Sequence, residues 1–101
     1  GVKEGLEFAI LTDEITKAWS DMSVKAFKQK KGLKKENLRD NMTNLELVLN
    51  MLAETSTKEI SERKKPKNFD ENKKVAQKGG SVARKARMAL EKEINQKVIG
   101  S

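Results

Sequence analysis

Histidine, cysteine and tyrosine are absent from this chain of 101 residues, and proline occurs once. Without Cys or His there are no zinc sites of the usual kind, no disulfide framework and no thiol nucleophile. Without His, acid–base work near neutral pH would fall to a strongly shifted carboxylate or lysine. The expectation is therefore no enzyme, no metal or other cofactor and no small-molecule substrate. No apolar run approaches the roughly 20 residues a membrane helix needs, and no apolar h-region follows Gly1-Val2-Lys3-Glu4-Gly5. A membrane partner is not expected, and a cytoplasmic location is. The Gly1 start and the Ile99-Gly100-Ser101 end fit a piece cut from a longer protein.

Charge is what the chain has in quantity. Charged residues make up 37% and apolar ones 36%, which leaves a thin core under a heavily charged surface. Lys and Arg number 22 against 15 Asp and Glu, a net charge of +7. The excess is uneven: residues 1–50 carry 9 basic and 8 acidic groups, and residues 51–101 carry 13 and 7. Arg63, Lys64, Lys65, Lys67, Lys73, Lys74, Lys78, Arg84, Lys85 and Arg87 are opposed within their stretch only by Asp70 and Glu71. A smaller cluster, Lys28, Lys30, Lys31, Lys34 and Lys35, brackets Gly32.

Many Ala, Leu, Glu, Lys and Arg, with nothing that alternates like a strand, predict helices. Thr43-Asn44-Leu45-Glu46 is a capping box, followed by Leu45, Val48, Leu49 and Leu52 at helical spacing. The Thr55-Ser56-Thr57 run predicts an end near Glu54, and Ser56 with Glu59 predicts a second short helix stopped by Pro66. Asn68 with Glu71 opens another helix. On it Val75, Gly79, Ala83, Ala86, Leu90 and Ile94 would share one face, and the phase held across Gly79-Gly80 favours one long helix. Thr12 reads as the cap of a helix bearing Ile15, Ala18 and Trp19, with Asp13 and Glu14 at its positive end. Ser23 reads as the cap of a helix ended by Gly32, and a turn of helix follows within Glu36 to Met42. The expected fold is one all-α domain, a small bundle of about five helices with a long basic C-terminal helix. Its expected core is Leu45, Val48, Leu49, Leu52, Trp19, Phe27 and Leu90.

The Arg63 to Arg87 stretch reads as a candidate phosphate footprint, since clustered cations release counterions from nucleic acid. The bland alternative is a solvated face. Phe69 is its only ring, which argues against base stacking. The lysines around Gly32 lack a Gly-rich or Gly-Lys-Ser/Thr loop and do not make a nucleotide site. Residues 44–54 carry Glu46 and Glu54 as their only charges, so they do not suit a DNA recognition helix. Trp19, beside Asp21 and Met22, reads as a core anchor rather than a partner contact.

Lys31-Gly32-Leu33-Lys34-Lys35-Glu36-Asn37-Leu38-Arg39-Asp40-Asn41-Met42, with Glu46-Leu47, Asn50-Met51-Leu52 and Thr55-Ser56-Thr57, resembles the C-terminal part of the DNA-damage-inducible protein D family. Leu11-Thr12-Asp13-Glu14-Ile15-Thr16-Lys17-Ala18-Trp19 and Phe69-Asp70-Glu71-Asn72-Lys73 with Gly79-Gly80 are similar to related bacterial and prophage proteins that carry a Bro-N domain, often called antirepressors. The resemblance implies a role in the bacterial DNA-damage (SOS) response or prophage control. DNA, a recombinase filament on DNA or a repressor would be the target, and the chain would be the C-terminal part of a longer Bro-N protein. It assigns no individual functional residues. Two readings stand: an accessory module that binds nucleic acid through its basic face, or a protein-interaction or self-association module built on the Val75 to Ile94 stripe.

Overall fold

Thr43 starts the central helix as its sequence dictates. Its hydroxyl accepts from the Glu46 amide at 3.1 Å, and the Glu46 carboxylate accepts from the Thr43 amide at 2.9 Å, so both halves of the capping box form. The computed structural model describes residues 2–99, with the side chains of residues 4–99. In it α1 spans Val2–Ser20, α2 Val24–Lys30, α3 Asn44–Lys64 and α4 Phe69–Ile94, with a single 3₁₀ turn at Arg39–Asn41. Among the described residues there is no strand. The protein is an all-α bundle with four α-helices rather than about five, and α4 is its long basic C-terminal helix. Gly100 and Ser101 of the expected cut end, and Gly1, lie outside the described residues.

Two expected helix boundaries do not exist. The Thr55-Ser56-Thr57 run does not break α3: the helix continues through Ser56, the expected cap, and the neighbouring Thr57 hydroxyl bonds back to the Ala53 carbonyl at 2.8 Å. Thr12 does not start a helix either. Thr12, Thr16 and Ser20 each donate to the carbonyl four residues earlier, within a continuous α1. Asp13 and Glu14 consequently lie mid-helix, and Asp13 accepts instead from the Val24 amide at 2.7 Å, at the start of α2. The other signals form as read. Ser23 accepts from the Ala26 amide, and Asn68 from the Glu71 amide. Gly32, at φ +73°, follows α2 in a Schellman ending, with Gly32 N–H on Gln29 O and Leu33 N–H on Lys28 O.

α3 and α4 are joined by residues 65–68 and run side by side, and α1 lies across both. The bundle is 17 Å through its thinnest direction, too little for three stacked helices. α4 is unbroken because Gly79 and Gly80 are where it meets its neighbours. A Cβ at Gly79 would sit 2.6 Å from Thr57 Cα and N, and one at Gly80 would lie 2.9 Å from Ile15 O and press on Ala18 Cβ. The small-residue stripe is thereby used inside the monomer: Val75, Gly79 and Ala83 are buried, and Ile94 at its end is exposed.

Trp19, Phe27, Leu38, Leu49, Ala53 and Ala83 form the core, with Ile15, Met22, Val24, Leu33, Met42, Leu45 and Ala86 packed around it. Leu90 is half-buried. Val48 and Leu52, expected in the core, are 60% and 36% exposed. α3 turns Glu46, Leu49, Asn50 and Ala53 inward instead, a face displaced by one residue, or about 100°. Partners inside explain the displacement. Lys31 Nζ lies 2.6 Å from the Glu46 carboxylate and over the Phe27 ring, and Trp19 Nε1 donates to Asn50 Oδ1 at 3.1 Å. Among the described residues no buried side-chain donor or acceptor lacks a partner.

Arg87 closes the bundle. Its Nε donates to Trp19 O at 2.8 Å, a carbonyl in the last turn of α1 that the helix itself leaves unpaired. Its other nitrogens meet Asp21 at 2.7 Å and Glu91 at 3.0 Å. Glu91 also accepts from the Val98 amide at 3.0 Å, which ties the C-terminal tail to α4. Burial pushes the Glu91 carboxyl up, but the Val98 amide and the Arg87 guanidinium outweigh it and hold the group below its ordinary value.

Two outcomes are expected. Gly79→Ala should destabilise the protein by about 2 kcal/mol in urea titrations, although alanine is the better helix former by about 1 kcal/mol. Gly5→Ala, with nothing within 4 Å of its Cβ, should stabilise it instead. The depressed Glu91 carboxyl makes a contribution to stability that is present above its unfolded value near 4.5 and lost as pH falls through the lower folded value. Glu91→Gln should flatten that part of the acid-denaturation profile.

Candidate nucleic-acid interface

Winding α4 as a helix parts six of the ten basic residues into two sets. Positions 74, 78 and 85 share one face with Ser81 and Val82, while 73, 84 and 87 turn toward α1. Every member of the second set has a carboxylate. Lys73 Nζ lies 3.9 Å from Glu14 Oε1, and Gln77 donates to the same carboxylate at 3.1 Å. Arg84 Nε is 3.3 Å from Asp21 Oδ1, and Arg87 binds the other oxygen of Asp21. These contacts fasten α4 to α1 and to the turn after it. Arg87 is buried and fully engaged, so the structure removes it from the surface set.

Lys64, Lys65, Lys67, Lys74, Lys78 and Lys85 are all exposed. Among the described residues none has a carboxylate within ion-pair distance. Lys64, Lys65 and Lys67 sit at the connection between α3 and α4, where Lys65 takes a left-handed conformation at φ +50° to end α3 before Pro66. Arg63 is beside them, loosely paired with Glu59 at 3.7 Å across an exposed helical turn. Such surface pairs contribute little and exchange readily with another anion.

Lys74, Lys78 and Lys85 line a shallow trough of about 470 Å³ whose apolar patches are Ile60 and Val82, with Gln77 and Ser81 as polar neighbours. Asp70 and Glu71, in the first turn of α4, lie between this trough and the lysines of the connection. The trough presents ammonium groups on flexible stems and no exposed ring. Lysines of this kind act as point charges toward phosphate, whereas discrimination between bases calls for bidentate arginines or amides. Of the two arginines of α4, Arg87 is buried on Asp21 and Glu91, and Arg84 is paired with Asp21 at the surface. The chemistry on offer is backbone-phosphate contact with little preference for sequence.

The second lysine cluster divides similarly. Lys31 turns inward to Glu46, while Lys28 and Lys34 line a different groove between α1 and α2. The charge run around Gly32 therefore mixes one structural cation with several free ones. Sequence spacing gave no sign of this, because the partner of Lys31 lies 15 residues away in the chain. Among the described residues no group of three or more carboxylates is placed to hold a metal, and no helix is long and apolar enough to cross a membrane.

Comparison with known proteins agrees with the resemblance read from residues 31–57. No curated protein and no solved structure matches the chain. The family model described as the DinD C-terminal domain matches residues 1–98, nearly the whole length. The chain belongs to the DinD C-terminal domain family.

Proposed function

We propose that this domain is a non-enzymatic accessory module of a DNA-damage-inducible protein that contacts the phosphate backbone of nucleic acid, bare or within a protein–DNA filament. The observation that carries the reading is the separation of charges on α4: among the described residues Lys74, Lys78 and Lys85 have no carboxylate partner while Lys73, Arg84 and Arg87, on the side toward α1, all do. Three unpaired lysines fall along one trough and three more at the connection beyond Asp70 and Glu71, a concentration that a solvated face does not require. The trough supplies affinity and orientation, and sequence choice falls to another part of the parent protein, such as a Bro-N portion of the antirepressor type. A cytoplasmic site of action goes with the same reading. Self-association through the Val75 to Ile94 stripe is the weaker reading, because the Val75 to Ala83 part of it is buried against α1 and α3.

Titration of labelled single- and double-stranded DNA between 50 and 200 mM salt tests the proposal. Three to six phosphate contacts on duplex DNA should reduce affinity by roughly 40- to 2,000-fold across that range. Substituting Lys74, Lys78 or Lys85 by Ala should each lower the slope of log K against log salt by about 1, whereas Arg87→Met should change stability and leave the slope alone. No binding at 50 mM salt, or a slope unmoved by the three lysine variants, contradicts it.

A further inference from the structure

A wide groove lies away from the lysine trough, between the first half of α1 and α2, and shares no residue with it. It measures about 960 Å³, is open along one side, and is lined by Phe8, Ala9, Ile10, Val24 and Leu33. Phe8 is 74% exposed and its neighbour Leu6 61%, although the chain has only three Phe in all. Large aromatic surface left in water beside a concave apolar floor marks an interaction site.

The rim is predominantly basic, although the Glu36 carboxylate lies near enough to interact with Lys28. Lys25, Lys28 and Lys34 surround the floor, and among the described residues none of them has a carboxylate partner. Among the described lining residues the one carboxylate, Asp13, is taken up by the Val24 amide and by Lys17. Lys34 is held in place by Glu36, whose carboxylate accepts from the Lys34 and Lys35 amides at 3.2 and 3.0 Å. Two helices with an apolar cleft between them suit a third helix laid along the cleft, its apolar residues repeating at i, i+3 or i+4, and i+7. A basic rim selects acidic residues flanking those anchors.

We propose that the groove between α1 and α2 docks an acidic amphipathic helix of a partner protein, with Phe8 as the central apolar contact and Lys25, Lys28 and Lys34 meeting its carboxylates. The proposal does not depend on the reading of the lysine trough. It gives the domain two separate surfaces, one for phosphate and one for protein.

The probe is a fluorescein-labelled 18-residue peptide with Leu and Phe at helical spacing and Glu on the flanks, followed by anisotropy with the whole 101-residue chain. A scrambled peptide of identical composition is the control. The patterned peptide should bind at least tenfold more tightly than the scrambled one. Phe8→Asp, at an exposed position, should weaken it at least tenfold, as should Lys25→Glu combined with Lys34→Glu. Lys74→Glu with Lys78→Glu should leave it unchanged, and the far-ultraviolet circular dichroism of every variant checks its fold. Equal binding of the two peptides, or indifference to Phe8→Asp, overturns the proposal. So does concentration-dependent dimerisation that Phe8→Asp abolishes, which would assign the groove to a second copy. Binding to phosphatidylserine vesicles but not to the patterned peptide would assign it to a lipid surface and equally overturn it.

Discussion

α4 lies against two helices at once because Gly79 and Gly80 carry no side chain. The backbone of α3 at Thr57 fills the space where one Cβ would be, and α1 at Ile15 and Ala18 fills the other. Everything else about α4 follows from that double approach. With its inner side committed in mid-helix, positions 73, 84 and 87 are carried toward the acids of α1 and of the turn after it, and positions 74, 78 and 85 are carried to the outside. One steric fact thus sorts the basic residues of a single helix into fasteners and free cations.

Polar groups in the interior set the second half of the architecture. Trp19 is anchored by Asn50, Glu46 by Lys31, and the open end of α1 by Arg87. Each of these pairs fixes a rotation or an angle that apolar packing alone would leave free. The cost is visible on α3, where drawing Glu46 and Asn50 inward turns Val48, Met51 and Leu52 out to solvent.

Local chemistry makes much of this legible in the amino-acid sequence alone. The Thr43 capping box, the Ser23 and Asn68 caps, the Gly32 ending and the phase across Gly79-Gly80 are all interactions within a few residues, and all formed as read. What escaped was tertiary. Thr12 and Ser56 look like caps in sequence and are mid-helix residues, because the helices around them are held by packing elsewhere. The rotation of α3 and the inward Arg87 depend on partners 15 to 68 residues distant, which periodicity does not register. The basic face was recognisable as a concentration of charge, but its division into paired and unpaired members needed the three-dimensional placement of Glu14, Asp21 and Glu91.

The central claim is that the cations of α4 serve two purposes according to face, and a comparison of two triple variants tests it most directly. One variant carries Lys74→Glu, Lys78→Glu and Lys85→Glu; the other carries Lys73→Gln, Arg84→Gln and Arg87→Gln. Urea midpoint and affinity for labelled DNA at low salt are read for both. The account predicts that the first keeps its midpoint and loses at least about tenfold in affinity, while the second loses stability first. Equal losses of affinity at equal stability in the two variants would contradict it.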